Sequence, residues 1–144
     1  MIRVVLDTNV LFSAIFKSTG TQAMLLDLIL TEGTIVPCVL ASVLAEYHEV
    51  LFRPVLRQHA AKVEYLLGLL IAFGFLVVPT RSVTASTDPD DNCFLECAEA
   101  AAADYLITGN KRHFPKMWKK TRIVNTREFL NAIEDRGEAR KEMV

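Results

Sequence analysis

The sequence predicts an α/β protein whose central, mostly parallel sheet carries helices on both faces. Three observations lead there. The strand-like segments are short, apolar and rich in β-branched residues, as in Ile2 to Leu6, and do not alternate polar with apolar, which is how strands buried on both sides read. Helical stretches separate them, as the crossovers of a parallel sheet require. The length of 144 residues, with 51% hydrophobic and 23% charged, suits a single core, and no repeat, low-complexity tract or linker divides it.

The elements follow in order. Ile2 to Leu6 runs into Asp-Thr-Asn and reads as the first strand. Val10 to Phe16 is expected to form a first helical turn or two, closed by Ser18-Thr19-Gly20, and Gln22 to Leu30 a second helix ended near Gly33. Thr34 to Val36 is a short strand stopped by Pro37, and Val39 to Phe52 a helix closed at Pro54. Ala60 to Phe73 is a helix with Gly74 as its C-terminal cap, followed by a strand from Phe75 to Val78. Asp91 to Ala102 is a helix, Tyr105 to Thr108 and Arg122 to Asn125 are strands, and Thr126 caps a last helix. The sheet therefore has about five strands. Residues 1–133 form the domain, and the charged stretch 134–144 is expected as a flexible tail.

Composition narrows the function classes. A net charge of −1 is a poor match to a uniformly basic nucleic-acid binder. Cys38, Cys93 and Cys97 are odd in number and form no CxxC pair, which points to a reducing compartment and small buried thiols rather than disulfides or zinc. The apolar run from Leu66 to Val78 is shorter than the roughly 18 residues of a membrane span, and Gly68 and Gly74 interrupt it. The N-terminal apolar stretch is too short for a signal peptide. The expectation is a soluble, cytoplasmic protein with no membrane partner.

In doubly wound parallel sheets the ligand site lies beyond the carboxyl ends of the strands, where the strand order reverses. Asp7 follows the first strand directly, although an Asp-Thr-Asn triplet also serves as a helix cap. Glu46 lies on the third helix. On a wheel at 100° per residue, Val39, Leu40, Val43, Leu44, Tyr47, Val50 and Leu51 fill an arc of about 140°, and Glu46 falls about 20° outside it. Asp88, Asp90 and Asp91 precede the next helix, where acids suit the macrodipole. Yet Asp91 aligns with Leu95, Ala98 and Ala102 on the apolar side, and burying a carboxylate costs several kcal/mol unless a partner compensates it. Asn110 follows the fourth strand, where it either forms a Gly-Asn turn or reaches the same crevice.

Asp7, Glu46 and Asp91 thus come from separate elements and can converge. Converging carboxylates repel unless a proton or a cation neutralises them. Hard oxygen donors without paired histidines or thiols suit Mg²⁺ or Mn²⁺, and such ions serve phosphoryl chemistry. The charge balance then reads differently: setting aside Asp7, Glu46, Asp88, Asp90 and Asp91, five of the 17 acids, turns −1 into +4. An acidic pocket on a mildly basic body is compatible with nucleic acid.

The segments VVLDTNVLFSA, SVLAEYHEVLFRP, TDPDDNCFLECAEAAAADYLITGNKRHFP and IVNTREFL, in that order, resemble the PIN domain of VapC-type toxin ribonucleases over roughly residues 2 to 130. The resemblance is strongest to the chromosomal subgroup described as toxins of toxin–antitoxin pairs. It implies an α/β/α sandwich, a homodimer, a cognate antitoxin protein, and a metal held by Asp7, Glu46 and Asp91. It further implies support from Thr8, Asn9, Asp88, Asp90 and Thr108. Where the family often has a fourth acid, this chain has Asn110, which contributes no charge and puts a second metal in question.

The leading expectation is an endoribonuclease in which Mg²⁺ or Mn²⁺ activates water for in-line attack, leaving a 5′-phosphate and a 3′-hydroxyl. Lys111, Arg112 and His113 either grip the RNA backbone or form a solvated basic turn; Arg53 and Arg57 are weaker candidates. The alternative is a PIN-fold module that binds RNA or protein with little catalysis. A receiver-like phospho-acceptor domain fails, because Val78-Pro79-Thr80 supplies no acid after the third strand. A dinucleotide-binding domain fails for lack of GxGxxG after the first.

Overall fold

A computed structural model describes residues 1–142. Strand β1 (Ile2–Leu6) leads into helices α1 (Thr8–Phe16) and α2 (Thr21–Thr31), then β2 (Ile35–Leu40) into α3 (Ala41–Leu51) and α4 (Ala60–Phe73). The chain continues through β3 (Phe75–Val77), α5 (Asn92–Ala101), β4 (Tyr105–Ile107), β5 (Met117–Trp118), β6 (Thr121–Val124) and α6 (Thr126–Glu142). Three 3₁₀ turns, Pro54–His59, Pro89–Asp91 and Lys111–His113, fill the longer connections.

The six strands are ordered β3-β2-β1-β4-β6-β5. All neighbours pair in parallel except β5 and β6, where Met117 faces Arg122 and Trp118 faces Thr121 in an antiparallel edge hairpin. Two residues carry no readable periodicity, so β5 is the strand the sequence did not announce. The chain steps outward from β1 through β2 to β3, then crosses back over α5 to β4. Right-handed crossovers in opposite directions put α1–α4 on one face and α5 on the other. Helix α6 packs on α2 and β4 and joins the first layer. The protein is thus a mostly parallel α/β sandwich with helices flanking the sheet.

The boundaries depart from expectation for physical reasons. Pro37 does not stop β2, which runs on through Val39 and Leu40 and removes both from the helix that follows. The carbonyl of Pro37 lies toward Gly74, and on that side β3 begins only opposite Cys38, so the missing N–H interrupts no ladder. Gly74 ends α4 with φ −73°, not in the left-handed region. It is required by close approach, since a Cβ there would collide with the carbonyl of Leu70. The last helix is capped by Asn125 rather than Thr126: Asn125 Oδ1 accepts from the Glu128 N–H (2.8 Å) and Glu128 Oε1 from the Asn125 N–H (3.0 Å). That helix continues to Glu142, so residues 134–142, expected as a tail, are helical; residues 143–144 lie outside the described ones.

Val4, Val5 and Leu6 are sealed by both helical layers, consistent with a central strand. Behind the carboxyl end of the sheet, Tyr47 of α3 and Phe94 of α5 are fully buried, with ring centroids 6.2 Å apart. Burying such side chains contributes roughly 1.5–3 kcal/mol each. The Tyr47 hydroxyl donates to the carbonyl of Leu6, at the end of β1. Cys38 and Cys97 are buried and Cys93 half-buried, all as free thiols. Among the described residues, no helix is long and apolar enough to cross a membrane.

Candidate active site

Strand β1 has β2 on one side and β4 on the other, and the chain leaves β1 and enters β4 in opposite senses. This is the switch point, and the loops after β1 and β4 diverge there to leave a crevice. Asp7 is the first residue after β1 and Thr108 the first after β4. Asp7 is only 4% exposed. Its Oδ2 accepts from Thr108 Oγ1 (2.6 Å) and from Asn9 Nδ2 (3.0 Å). Asn9 Oδ1 in turn accepts from the Gly109 N–H (3.0 Å), and Thr108 Oγ1 from the Asn110 N–H (2.9 Å). The two loops are thereby laced together through one carboxylate.

Burial pushes the Asp7 carboxyl up to about 6; the Thr108 hydrogen bond pulls it back in part, and the charge of Asp91 pushes it further. Glu46, half-buried on α3, is raised first by burial and then by Glu49, Asp90 and Asp91. Asp91, at the start of α5, is raised by burial, lowered by its hydrogen bond to His113, and raised again by Asp88. Asp91 therefore repels both Asp7 and Glu46. Among the described residues, no lysine or arginine pairs with any of the three.

The other anticipated residues divide. Asp88, Asp91 and His113 bring one ligand atom each within 4.8 Å of one another, while Asp7 and Glu46 lie outside that set. Asp90 is exposed and donates its backbone N–H to Asp88 Oδ1 (3.0 Å). Thr8 is buried with its hydroxyl unpartnered. Asn110 participates through its backbone, accepting from the His113 N–H (3.0 Å) besides donating to Thr108.

The basic triplet separates as well. Lys111 Nζ is held by Glu128 Oε1 at 2.8 Å, Arg112 is exposed, and His113 turns inward with Nδ1 3.2 Å from Asp91 Oδ2. Arg53 lies 3.9 Å from Glu49 on the surface of α3, and Arg57 is exposed. Two contributors were not read from the sequence. Ser86 ties the loop before α5 to His113, and the inward turn of His113 follows from the 3₁₀ geometry of residues 111–113. The spacing of His113 three residues beyond Asn110 was the available signal.

A parallel α/β sheet with buried carboxylates at its switch point belongs to the doubly wound class. Within that class the chain belongs to the PIN domain family, whose profile matches residues 3–112 and so spans Asp7, Glu46, Asp91 and Asn110. An uncharacterized protein of Methanocaldococcus jannaschii, MJ1680, is 35% identical over 113 residues, covering 76% of this chain and 72% of the relative. Among solved structures, VapBC2 from Rickettsia felis bound to a DNA fragment from their promoter contains a similar chain: TM-score 0.57, 17% identity, 86% of this chain and 98% of that one covered. At that identity the likeness is one of fold.

Proposed function

We propose that the protein is a divalent-metal-dependent endoribonuclease acting as the toxin of a toxin–antitoxin pair, with Asp7, Glu46 and Asp91 as its metal-holding acids. The observation that carries this reading is the Asp7 carboxylate, buried and repelled by Asp91, whose direct hydrogen bonds come from the neutral donors Thr108 and Asn9. Such a site is destabilised when ionised and is relieved by a cation from outside. The donors are hard oxygens, which fits Mg²⁺ or Mn²⁺. When bound, the ion polarises a phosphodiester and lowers the pKa of water.

The chain's own residues do the remainder. Thr108 and Asn9 aim Asp7 into the crevice, and Thr8 offers a buried hydroxyl beside it. Asn110 supplies an amide in place of a fourth charge. Arg112 is exposed on the loop beside the crevice and suited to contact an RNA phosphate, whereas Lys111 must first leave Glu128. The fold shared with a VapBC2 chain supports an antitoxin partner; a peptide cation inserted among these acids, and a homodimer, are further parts of the proposal.

The test is cleavage of RNA by the purified protein with Mn²⁺ or Mg²⁺, lost on adding EDTA and in Asp91→Asn. Undiminished cleavage by Asp91→Asn overturns the assignment. Metal-stabilised protein that binds RNA without cleaving it would favour a binding module, toward which Asn110 is a step.

A further inference from the structure

We propose that the open pocket lined by Lys111, Arg112, Phe114, Pro115, Lys116 and Ile123 is a subsite for one unpaired nucleotide of single-stranded RNA, and that the basic sheet edge beyond it carries the strand away from the acids. This rests on the ribonuclease reading above and extends it from the reacting phosphate to the neighbouring length of substrate.

Charge is the first observation. Residues 105–127 hold seven of the chain's 16 lysines and arginines and none of its 17 acids. All seven are exposed. They sit on the loop after β4, on the β5–β6 hairpin at the outer edge of the sheet, and at the start of α6. Lys111 is paired with Glu128, Lys119 with Glu99 and Lys120 with Asp104. Among the described residues, Arg112, Lys116, Arg122 and Arg127 have no carboxylate partner. Lysines commonly blunt a free sheet edge against unwanted pairing. That role ends at the edge, whereas Lys111 and Arg112 precede it, in the 3₁₀ turn beside the crevice.

The second observation is the pocket itself, a cavity of about 440 Å³, within the range of small-ligand sites. Phe114 and Ile123, 8% and 4% exposed, and the half-buried Pro115 give it an apolar floor, while the three cations around it are exposed. The Ile123 N–H donates to the Lys116 carbonyl (3.3 Å), which ties the floor to the rim. An apolar floor inside a ring of cations complements a nucleotide, whose base has apolar faces and whose phosphates are anionic. A duplex keeps its bases stacked and has none to place there. An acidic peptide would satisfy the cations and leave the floor uncovered.

Position links the pocket to the acids. Lys111 follows Asn110, whose N–H donates to Thr108 Oγ1 (2.9 Å), and that hydroxyl holds Asp7. The pocket therefore opens beside the crevice, and a strand with one phosphate at the acids meets it with its adjoining nucleotides.

The experiment titrates fluorescently labelled oligouridylate, and its duplex with oligoadenylate, with full-length protein in EDTA over a series of salt concentrations, reading anisotropy. Wild type is expected to bind the single strand more tightly than the duplex, although charge density alone favours the duplex. Lys116→Ala should weaken single-strand binding several-fold and lower the salt slope by about 1, with far-UV circular dichroism unchanged. Lys62→Ala, the same change of charge at an exposed position on α4, should do neither. Polyglutamate at equal charge concentration should not displace the RNA. Duplex bound as tightly as single strand, equal losses in Lys116→Ala and Lys62→Ala, or displacement by polyglutamate overturns this inference. The ribonuclease reading is then still judged by cleavage with Mn²⁺ or Mg²⁺. Wild type that neither binds nor cleaves RNA overturns both.

Discussion

Replacing Asp7 by asparagine should stabilise the metal-free protein at neutral pH. The carboxyl titrates near 6 in the fold against 3.8 as an unperturbed side chain, because burial and the Asp91 charge outweigh the Thr108 and Asn9 hydrogen bonds. A difference of about 2 units corresponds to roughly 3 kcal/mol. The raised value means that the folded state holds a proton the unfolded chain has released. Below about pH 4 both states are protonated and Asp7 carries no penalty. Stability is then lost as pH rises through about 6, and above that the full penalty applies. Asparagine keeps an oxygen for Thr108 and Asn9 but no charge. In EDTA at pH 7.5, Asp7→Asn should exceed wild type by about 2–3 kcal/mol in urea unfolding, or about 6–9 °C in Tm at about 3 °C per kcal/mol for a chain of this size. The gap should close near pH 4. Adding millimolar Mn²⁺ should raise the Tm of wild type far more than that of the variant, because binding only the folded state stabilises it. A variant less stable than wild type at pH 7.5, or a difference that does not change with pH, refutes the account of Asp7 as a repelled, cation-seeking carboxylate.

Three further outcomes test the surroundings of the site. Tyr47→Phe leaves the buried Leu6 carbonyl without its hydroxyl donor and should lower stability by about 1–3 kcal/mol in urea unfolding, with no cavity to repack. Asn125→Ala removes one half of the reciprocal cap on α6 and should cost about 1 kcal/mol, read as a fall in Tm with unchanged Mn²⁺ affinity. Arg112→Ala should weaken RNA binding equally across sequences and reduce the salt slope by about 1, whereas Lys111→Ala, already paired with Glu128, should change that slope less.

What the sequence conveyed and what it withheld both have local causes. Val4, Val5 and Leu6 are unbroken apolar residues because β1 is covered on both faces, and that pattern alone located the central strand and placed Asp7 at its end. Gly74 and Pro54 marked real boundaries, since each disrupts a helix through its own covalent structure. Pro37 misled because the cost of a proline depends on whether a neighbour needs its N–H, and that is decided by where β3 begins. The wheel that placed Glu46 beside an apolar arc included Val39 and Leu40, which are strand residues; Val43, Tyr47 and Leu51 are the buried face that survives. At the site, Asp7 and Asp91 were legible as acids that follow or precede buried runs. The inward turn of His113 was not, because it depends on the 3₁₀ turn at 111–113 together with Ser86 and Thr87 reaching its carbonyl from 27 and 26 residues away.

The topology explains why the acids can be tolerated at all. A buried carboxylate on an ordinary strand would face apolar helices on both sides, but at the switch point the two flanking loops part and leave room for polar contacts. Asp7 and Thr108 occupy equivalent positions after β1 and β4, which pair in register from Val4 with Tyr105 to Leu6 with Ile107. That register brings the hydroxyl to the carboxylate without distorting either strand. Tyr47 and Phe94 close the space below, so the end of β1 cannot shift to relieve the repulsion. The rigid core therefore limits how far these charges can separate, and in the proposed site the resulting local instability would give an external cation its advantage. Loosening the core beneath the site should thus stabilise the acids and weaken metal binding together: Phe94→Leu, which removes the α5 ring packed against Tyr47, should lower Mn²⁺ affinity and bring the Asp7 titration below its present value of about 6. An Asp7 titration that stays near 6 while Mn²⁺ affinity falls would show that the core positions the ligands without confining their charge.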